Sequence, residues 1–280
     1  MKELRITTVQ ADLVWENKAE NYKKFEGLLK SIPRETETGT PYTDVIVLPE
    51  MFTTGFSMNP KPLAETLLGE TFHWMAEKAR QWGAAVTGSF ICVDNEHYFN
   101  RLLWVFPNGN YYKYDKRHLF SLAGEHHHYT EGVTRETIEW RNWRICPLIC
   151  YDLRFPVWSR NTLQSPFKSH QVSENDNSTG YYDLLIYVAN WPERRNHAWK
   201  SLLIARAIEN QAYVVGVNRV GSDGNSVYYS GDTSVIDFTG EVLFSQKHTE
   251  GVYTTILSST NLGDYRNKFG FLSDQDLFAL

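Results

Sequence analysis

The sequence has few of the features that mark secreted proteins. Its 280 residues include only three cysteines, Cys92, Cys146 and Cys150, an odd number without the spacing of a disulfide framework. Unpaired thiols favour a reducing compartment, so we expect a cytoplasmic protein. The first ten residues, MKELRITTVQ, have the pattern of a strand and lack the apolar segment of a secretory signal.

Long apolar runs and a strong charge of one sign are also absent. No apolar run approaches the roughly 18 to 20 residues that span a bilayer, which argues against a membrane protein. The 28 basic and 33 acidic residues are mixed along the chain and give a net charge of −5, which argues against a nucleic-acid or anionic-membrane partner. Aromatic residues, at 14%, are plentiful, so the composition predicts a globular protein with a large core.

Strands and amphipathic helices alternate along the chain, which predicts an α/β fold with helices covering the sheets. Helical spacing of apolar residues is found at 18–31, 70–82 and about 195–211, between short apolar runs typical of strands. No linker or repeat divides the chain, so we expect residues 1–280 to form one domain. The polar segment 164–180 is predicted to be a surface loop insertion and 258–280 a C-terminal tail.

Three reactive side chains come directly after predicted strands. Glu50 follows DVIVLP, Cys150 ends WRICPLIC, and Asn190 follows LLIYVA. Strand ends are where α/β proteins place reactive groups, and the helix that follows Cys150 can offer backbone N–H groups to a developing negative charge. Taken alone, such a cysteine is more often a small buried hydrophobe, and such a glutamate a carboxylate leaving the core at a loop.

Three segments resemble the signature segments of the nitrilase (carbon–nitrogen hydrolase) superfamily. They are LPEMFTTGF around Glu50, YYKYDKRHLF around Lys116 and LICYDLRFP around Cys150, in the superfamily's order of Glu, Lys and Cys. The resemblance spans essentially the whole chain. Within the superfamily the sequence is most similar to the bacterial omega-amidases, through CYDLRFPVW, YVANWPERR, RAIENQAYVVGVNRVGSDG and YRNKF.

The resemblance implies a four-layer αββα sandwich, usually paired into a homodimer. It also implies hydrolysis of the terminal amide of a small 2-oxo acid amide, 2-oxoglutaramate or 2-oxosuccinamate, without a metal or an organic cofactor. The same residues suit another small amide, a carbamoyl compound or a nitrile. A non-catalytic binding protein on the same fold is a further alternative.

The resemblance also implies the chemical roles. Cys150 is the nucleophile that forms a thioester, and Glu50 takes the thiol proton and returns it to the leaving ammonia. Lys116 stabilises the thiolate and the tetrahedral oxyanion, together with the backbone N–H of Tyr151. The superfamily carries a second glutamate that orients the lysine. Glu125, seven residues before Gly132, fits that spacing, and Glu131 is the competing candidate.

The three consecutive histidines, His126 to His128, are predicted to lie in a solvated loop. Neighbouring residues cannot all face one ion from regular structure, and no cysteine or carboxylate lies at a zinc-like spacing. We therefore predict no metal site.

A 2-oxo acid carries a carboxylate, which favours a cation near the pocket. Arg194 is the candidate by position, with Arg195 beside it, whereas Arg154 is predicted to form a structural ion pair that braces the Cys150 turn. Three aromatic residues are predicted to wall the pocket: Phe52, Tyr151 and Trp191.

Overall fold

The computed structural model describes residues 3–162 and 181–276. Two β-sheets pack against each other, and helices cover the outer face of each, giving four layers in the order αββα. The predicted fold class is therefore confirmed. The predicted loop at 164–180 lies outside the described residues.

The first sheet contains six strands. In spatial order these are β13 (Gly251–Ser258), β1 (Glu3–Gln10), β2 (Val45–Val47), β3 (Ala85–Asp94), β4 (His97–Val105) and β5 (Tyr111–Asp115). Among the described strands of this sheet, β2 pairs in parallel with its two neighbours, and the other pairs are antiparallel. The Pro-Asn-Gly-Asn segment at 107–110 joins β4 to β5, which is the hairpin that such a segment favours.

The second sheet contains a parallel core. In spatial order its strands are β10 (Val220–Ser222), β11 (Tyr228–Ile236), β9 (Tyr213–Asn218), β8 (Leu184–Ala189), β7 (Trp143–Ile149) and β6 (Ile138–Trp140), and β12 (Val242–Lys247) pairs with β11. Strands β7, β8 and β9 run parallel, so their carboxyl ends meet at one edge of the sheet.

Helices cover the two outer faces. The outer face of the first sheet packs on α1 (Lys18–Leu29) and α3 (Glu70–Trp82), and the second sheet packs on α5 (Asn196–Asn210). Two single helical turns, α2 (Pro60–Leu63) and α4 (Pro156–Ser159), lie in loops. No helix within 3–162 or 181–276 combines the length and the apolar composition required to cross a bilayer.

The segment predicted as a tail contains a helix, α6 (Ser259–Lys268). Its Leu262 is buried, and Arg266 donates hydrogen bonds to the Asp183 carboxylate at 2.9 Å and to the Tyr182 carbonyl at 2.7 Å. Two apolar residues, Leu262 and Tyr265, and an arginine attach this helix, which leaves little apolar periodicity to detect in the sequence.

Candidate active site

Four strand ends from the two sheets meet at one place. Glu50 follows β2 and Lys116 follows β5 in the first sheet, while Cys150 follows β7 and Asn190 follows β8 in the second. The Asn190 N–H donates to Glu50 Oε2 at 2.8 Å, and the Asn190 carbonyl lies 3.9 Å from Cys150 Sγ. The candidate site therefore lies where strand ends of both sheets come together.

Lys116 lies at the centre of a buried charge cluster. Its Nζ is 2.9 Å from Glu50 Oε1 and 2.9 Å from Glu125 Oε2, and all three side chains are at most 1% exposed. Burial opposes the charged ammonium, but the Glu125 and Glu50 carboxylates outweigh it and raise the pKa of Lys116. Lys116 therefore stays protonated.

Glu125, rather than its competitor Glu131, occupies the position beside the lysine. Its Oε2 also accepts the backbone N–H of Phe120 at 2.5 Å. Burial raises the pKa of Glu125, although Lys116 acts in the opposite direction. Glu131 is 60% exposed and lies 3.3 Å from Arg117, away from the cluster.

Asn100, in the middle of β4, is a member of the site that the sequence interpretation missed. Its Nδ2 donates to Glu50 Oε1 at 2.8 Å and lies 3.4 Å from Glu125 Oε1. Together with Lys116 it occupies one oxygen of Glu50 and leaves the other beside Asn190. The signal in the sequence was one amide within the apolar strand FNRLLWV, which does not reveal the direction of the side chain.

Cys150 lies at a sharp corner between β7 and a short 3₁₀ turn over Cys150–Arg154. Its φ angle is 44°, in the left-handed region that non-glycine residues seldom adopt and that is found preferentially at functional sites. Burial raises the pKa of the thiol, Glu50 adds to this effect, and Lys116 opposes it. The free thiol is therefore protonated at neutral pH and needs a base, which Glu50 can provide.

The Asp152 carboxylate stabilises this corner. It is fully buried and accepts hydrogen bonds from the Ile149 N–H at 3.1 Å, the Tyr114 hydroxyl at 2.7 Å and the His118 N–H at 3.0 Å. These bonds tie the turn after Cys150 to the segment that carries Lys116.

A cavity of about 160 Å³ opens above the cluster. Cys150 and Lys116 line its inner end. Its wall includes two of the predicted aromatic residues, Tyr151 and Trp191, and the predicted cation Arg194. Such a concave site, with aromatic residues and charged groups in its wall, is typical of small-molecule binding.

Phe52 does not line this cavity, contrary to its prediction as a wall residue. It is fully buried in the layer between the first sheet and its helices, with its ring centroid 5.4 Å from that of Phe25 and 5.7 Å from that of Trp74. The chain turns after Glu50 through Met51, whose φ is 43°, and this turn directs the Phe52 ring towards α1 and α3.

Arg154 also differs from its prediction. In the described part of the chain it forms no ion pair, and instead its guanidinium lies 4.8 Å above the Trp191 ring and lines the cavity. The predicted ion pair is absent because Asp152, the nearest acid along the chain, binds Tyr114 and His118.

The three consecutive histidines are exposed in the turn after Lys116. The rings of His126 and His127 lie 3.8 Å apart, and Glu125 points away from them into the cluster. Among the residues the structure describes, no group of three His, Cys, Asp or Glu side chains is placed to hold a metal ion.

Comparison with known proteins places this geometry in a family. The model of the carbon–nitrogen hydrolase family matches residues 5–267, which include all the groups described above. The chain belongs to this family. Across its full length it is 46% identical to the omega-amidase YafV of Escherichia coli strain K12, which it also covers in full. It is 31% identical to a 2-oxoglutaramate amidase of Bacillus subtilis, with 98% of each chain covered.

Solved structures agree with the fold. A carbon–nitrogen hydrolase superfamily protein of Xanthomonas campestris, XC1258, superposes with a TM-score of 0.91 at 41% identity, with both chains fully covered. Nit3 of Saccharomyces cerevisiae, a nitrilase superfamily member, superposes with a TM-score of 0.80 at 19% identity over 96% of this chain and 94% of its own. This carbon–nitrogen hydrolase therefore has the αββα fold of the nitrilase superfamily.

Proposed function

We propose that this enzyme hydrolyses the terminal amide of 2-oxoglutaramate or 2-oxosuccinamate through a thioester on Cys150. The observation that carries the proposal is the buried cluster of Glu50, Lys116 and Glu125 beside a thiol at the inner end of a small cavity. The full-length relatives named omega-amidase and 2-oxoglutaramate amidase support the choice of substrate.

In the first half-reaction the Cys150 thiol gives its proton to Glu50 and the sulfur attacks the amide carbon. The carbonyl oxygen becomes an oxyanion, which the Lys116 ammonium and the Tyr151 N–H stabilise. Glu50 then returns the proton to the amide nitrogen, the carbon–nitrogen bond breaks, and ammonia leaves. Glu50 Oε1 already accepts two short hydrogen bonds, from Lys116 and Asn100, whereas Oε2 accepts one, from the Asn190 N–H, so the proton is carried on the remaining lone pair of Oε2.

In the second half-reaction Glu50 takes a proton from a water molecule, whose oxygen attacks the thioester carbon. The tetrahedral intermediate collapses, the carbon–sulfur bond breaks, and the thiolate recovers the proton from Glu50. The products are the 2-oxo acid and the free thiol. Every step uses groups of this chain and water.

Ammonia release from 2-oxoglutaramate, 2-oxosuccinamate, glutamine, asparagine and a simple nitrile tests the proposal. We expect turnover of the two 2-oxo amides, and its loss in Cys150→Ala. Cys92→Ala is the matched control, because it removes another buried thiol that lies outside the cavity. Turnover of a different amide by folded wild-type protein, or full activity in Cys150→Ala, contradicts the proposal.

We further propose that the enzyme is a cytoplasmic homodimer. The three free cysteines support the reducing compartment, and pairing is the expectation from the family. Light scattering tests the stoichiometry, and a monomeric mass at micromolar concentration contradicts it.

A further inference from the structure

Three arginine side chains line the cavity without a carboxylate partner among the described residues. Arg154, Arg194 and Arg195 all contribute to its wall, and none of them forms an ion pair with any of the residues described. Several other buried or half-buried arginines of the described residues are paired, as Arg101 is with Asp115 at 2.6 Å, whereas Arg160 binds the backbone carbonyl of Glu209. At the cavity, three guanidinium groups that no described carboxylate pairs with lie in one wall.

Aromatic rings hold two of these guanidiniums. Arg154 lies 4.8 Å above the Trp191 ring, and Arg195 lies 5.0 Å above the Phe120 ring. Stacking of this kind orients the planar cation while leaving its N–H edges open. These edges are therefore available to acceptors on a bound molecule.

Asp223 also lines the cavity, but its carboxylate oxygens already accept hydrogen bonds from other groups. Its Oδ1 accepts the N–H groups of Asn225 at 2.8 Å and Val227 at 2.9 Å, and its Oδ2 accepts the Tyr229 hydroxyl at 2.9 Å. These bonds use Asp223 to shape the loop after β10. The wall therefore keeps an excess of positive charge.

The arginines repel one another. Burial, followed by the neighbouring charge of Arg194, lowers the pKa of Arg195, and Arg154 acts in the same direction. Negative charge on Cys150 acts in the opposite direction. An added positive charge on a substrate would experience the same repulsion.

We propose that Arg195, with Arg194 and Arg154, makes the enzyme select 2-oxo acid amides against 2-amino acid amides by repelling the α-ammonium group. This inference rests on the proposed function and adds the basis of its specificity. A carboxylate and an adjacent 2-oxo group both accept hydrogen bonds from guanidinium edges. Glutamine carries the same carboxylate, but its ammonium group brings a like charge into a partly desolvated wall.

Three substrates of equal length separate this effect from carboxylate binding. They are 2-oxoglutaramate, glutaramate with no group at carbon 2, and glutamine with an ammonium group there. We expect wild-type kcat/KM to be lowest for glutamine. Arg195→Gln is expected to raise the glutamine-to-glutaramate ratio of kcat/KM about tenfold, because it removes one of the like charges that repel the ammonium group and a factor of ten corresponds to about 1.4 kcal/mol of relieved repulsion. Any loss of carboxylate binding cancels in this ratio.

Two further variants control the result. Arg195→Lys keeps the positive charge and is expected to keep the glutamine-to-glutaramate ratio low. Arg80→Gln removes an exposed charge from α3, a helix outside the cavity wall, and is expected to leave the ratio unchanged. An unchanged ratio in both Arg195→Gln and the Arg194→Gln/Arg195→Gln double variant overturns the inference. A ratio near one in the wild type does so as well.

Failure of the proposed function gives a different result, in which wild-type enzyme hydrolyses none of the three amides. The inference is then judged on Cys150→Ala protein by calorimetric titration with glutaramate and glutamine. Weaker binding of glutamine that Arg195→Gln relieves supports charge selection, and equal binding of the two compounds overturns it.

Discussion

At the scale of single residues, the main feature is a buried cluster with two carboxylates and one ammonium group. Removing charges from water is costly, and the cost is offset only when every charge has close partners. Here Lys116 contacts both carboxylates, Asn100 and Asn190 donate to Glu50, and Phe120 donates to Glu125. The arrangement fixes the lysine for chemistry, and it makes each member sensitive to substitution.

Glu125→Gln is expected to lower kcat by at least about a hundredfold while the protein stays folded. Glutamine has the same shape and still accepts the Phe120 N–H, but it carries no negative charge to hold the Lys116 ammonium group in place. A less well positioned ammonium group stabilises the transition state less. Steady-state kinetics and circular dichroism are the measurements. Glu131→Gln, in the same segment but 60% exposed, is the control and should keep wild-type kcat. Equal kcat in the two variants would remove Glu125 from the mechanism.

At the scale of elements, the segment after β5 carries Lys116 and then turns back at Gly132. The Gly132 N–H donates to the Lys116 carbonyl at 2.9 Å, so the two backbones lie side by side. A Cβ atom at Gly132 would lie 2.1 Å from the Asp115 carbonyl oxygen, which is far closer than non-bonded atoms approach. Only glycine therefore allows the loop to lie against the end of β5.

Gly132→Ala is expected to destabilise the protein by roughly 1–3 kcal/mol and to reduce kcat, because the clash moves the backbone next to Lys116. Urea unfolding and steady-state kinetics test both effects. Gly27→Ala is the opposite case, since it lies in α1 with no heavy atom within 4 Å of the added methyl group. It should stabilise by roughly 0.5–1 kcal/mol at unchanged kcat. A Gly132→Ala variant as stable and active as wild type would contradict this account.

Elements with a strong apolar period were predictable, and side-chain directions at turns were not. The helix Glu70–Trp82 and the strand Leu184–Ala189 have the predicted bounds, because burial imposes the period of each element on the sequence. The packing of the two sheets brings together the strand-end residues Glu50 and Cys150. Phe52 and Arg154 differ from prediction because one or two backbone angles after each strand decide where those side chains point.

At the scale of the whole molecule, burial of thiols is expected to lower the free energy of unfolding at alkaline pH. Burial raises the pKa of Cys92 and of Cys146 from 9.0 to about 11. A thiol whose pKa is higher in the folded state contributes stability below pH 9, and loses that contribution as pH rises towards 11, because the unfolded chain releases its proton first. Each such thiol lowers the free energy of unfolding by about 2–3 kcal/mol as the pH rises from 9 to 11.

The free energy of unfolding is therefore expected to fall between pH 8 and pH 10.5, as measured by urea denaturation. Cys146→Ala removes one of these thiols from a fully buried position, so its fall over the same range should be smaller by about 2 kcal/mol. The variant is less stable at pH 8 because the substitution leaves a small cavity. The quantity compared is therefore the change in the free energy of unfolding between the two pH values. An equal fall in wild type and variant would show that the buried Cys146 thiol does not contribute to this pH dependence.

The pairing of the first and last strands gives the molecule an order of assembly. Strand β1 pairs with β13 over eight residues, from Glu3 with Ser258 to Gln10 with Gly251. During synthesis from the amino end, β1 has no β13 to pair with until about 240 further residues have been made. Glu50 and Cys150 are both made before that point. Glu50 and Cys150 therefore emerge from the ribosome long before the first sheet can be completed, and hydrolytic activity should begin only after β13 has been synthesised.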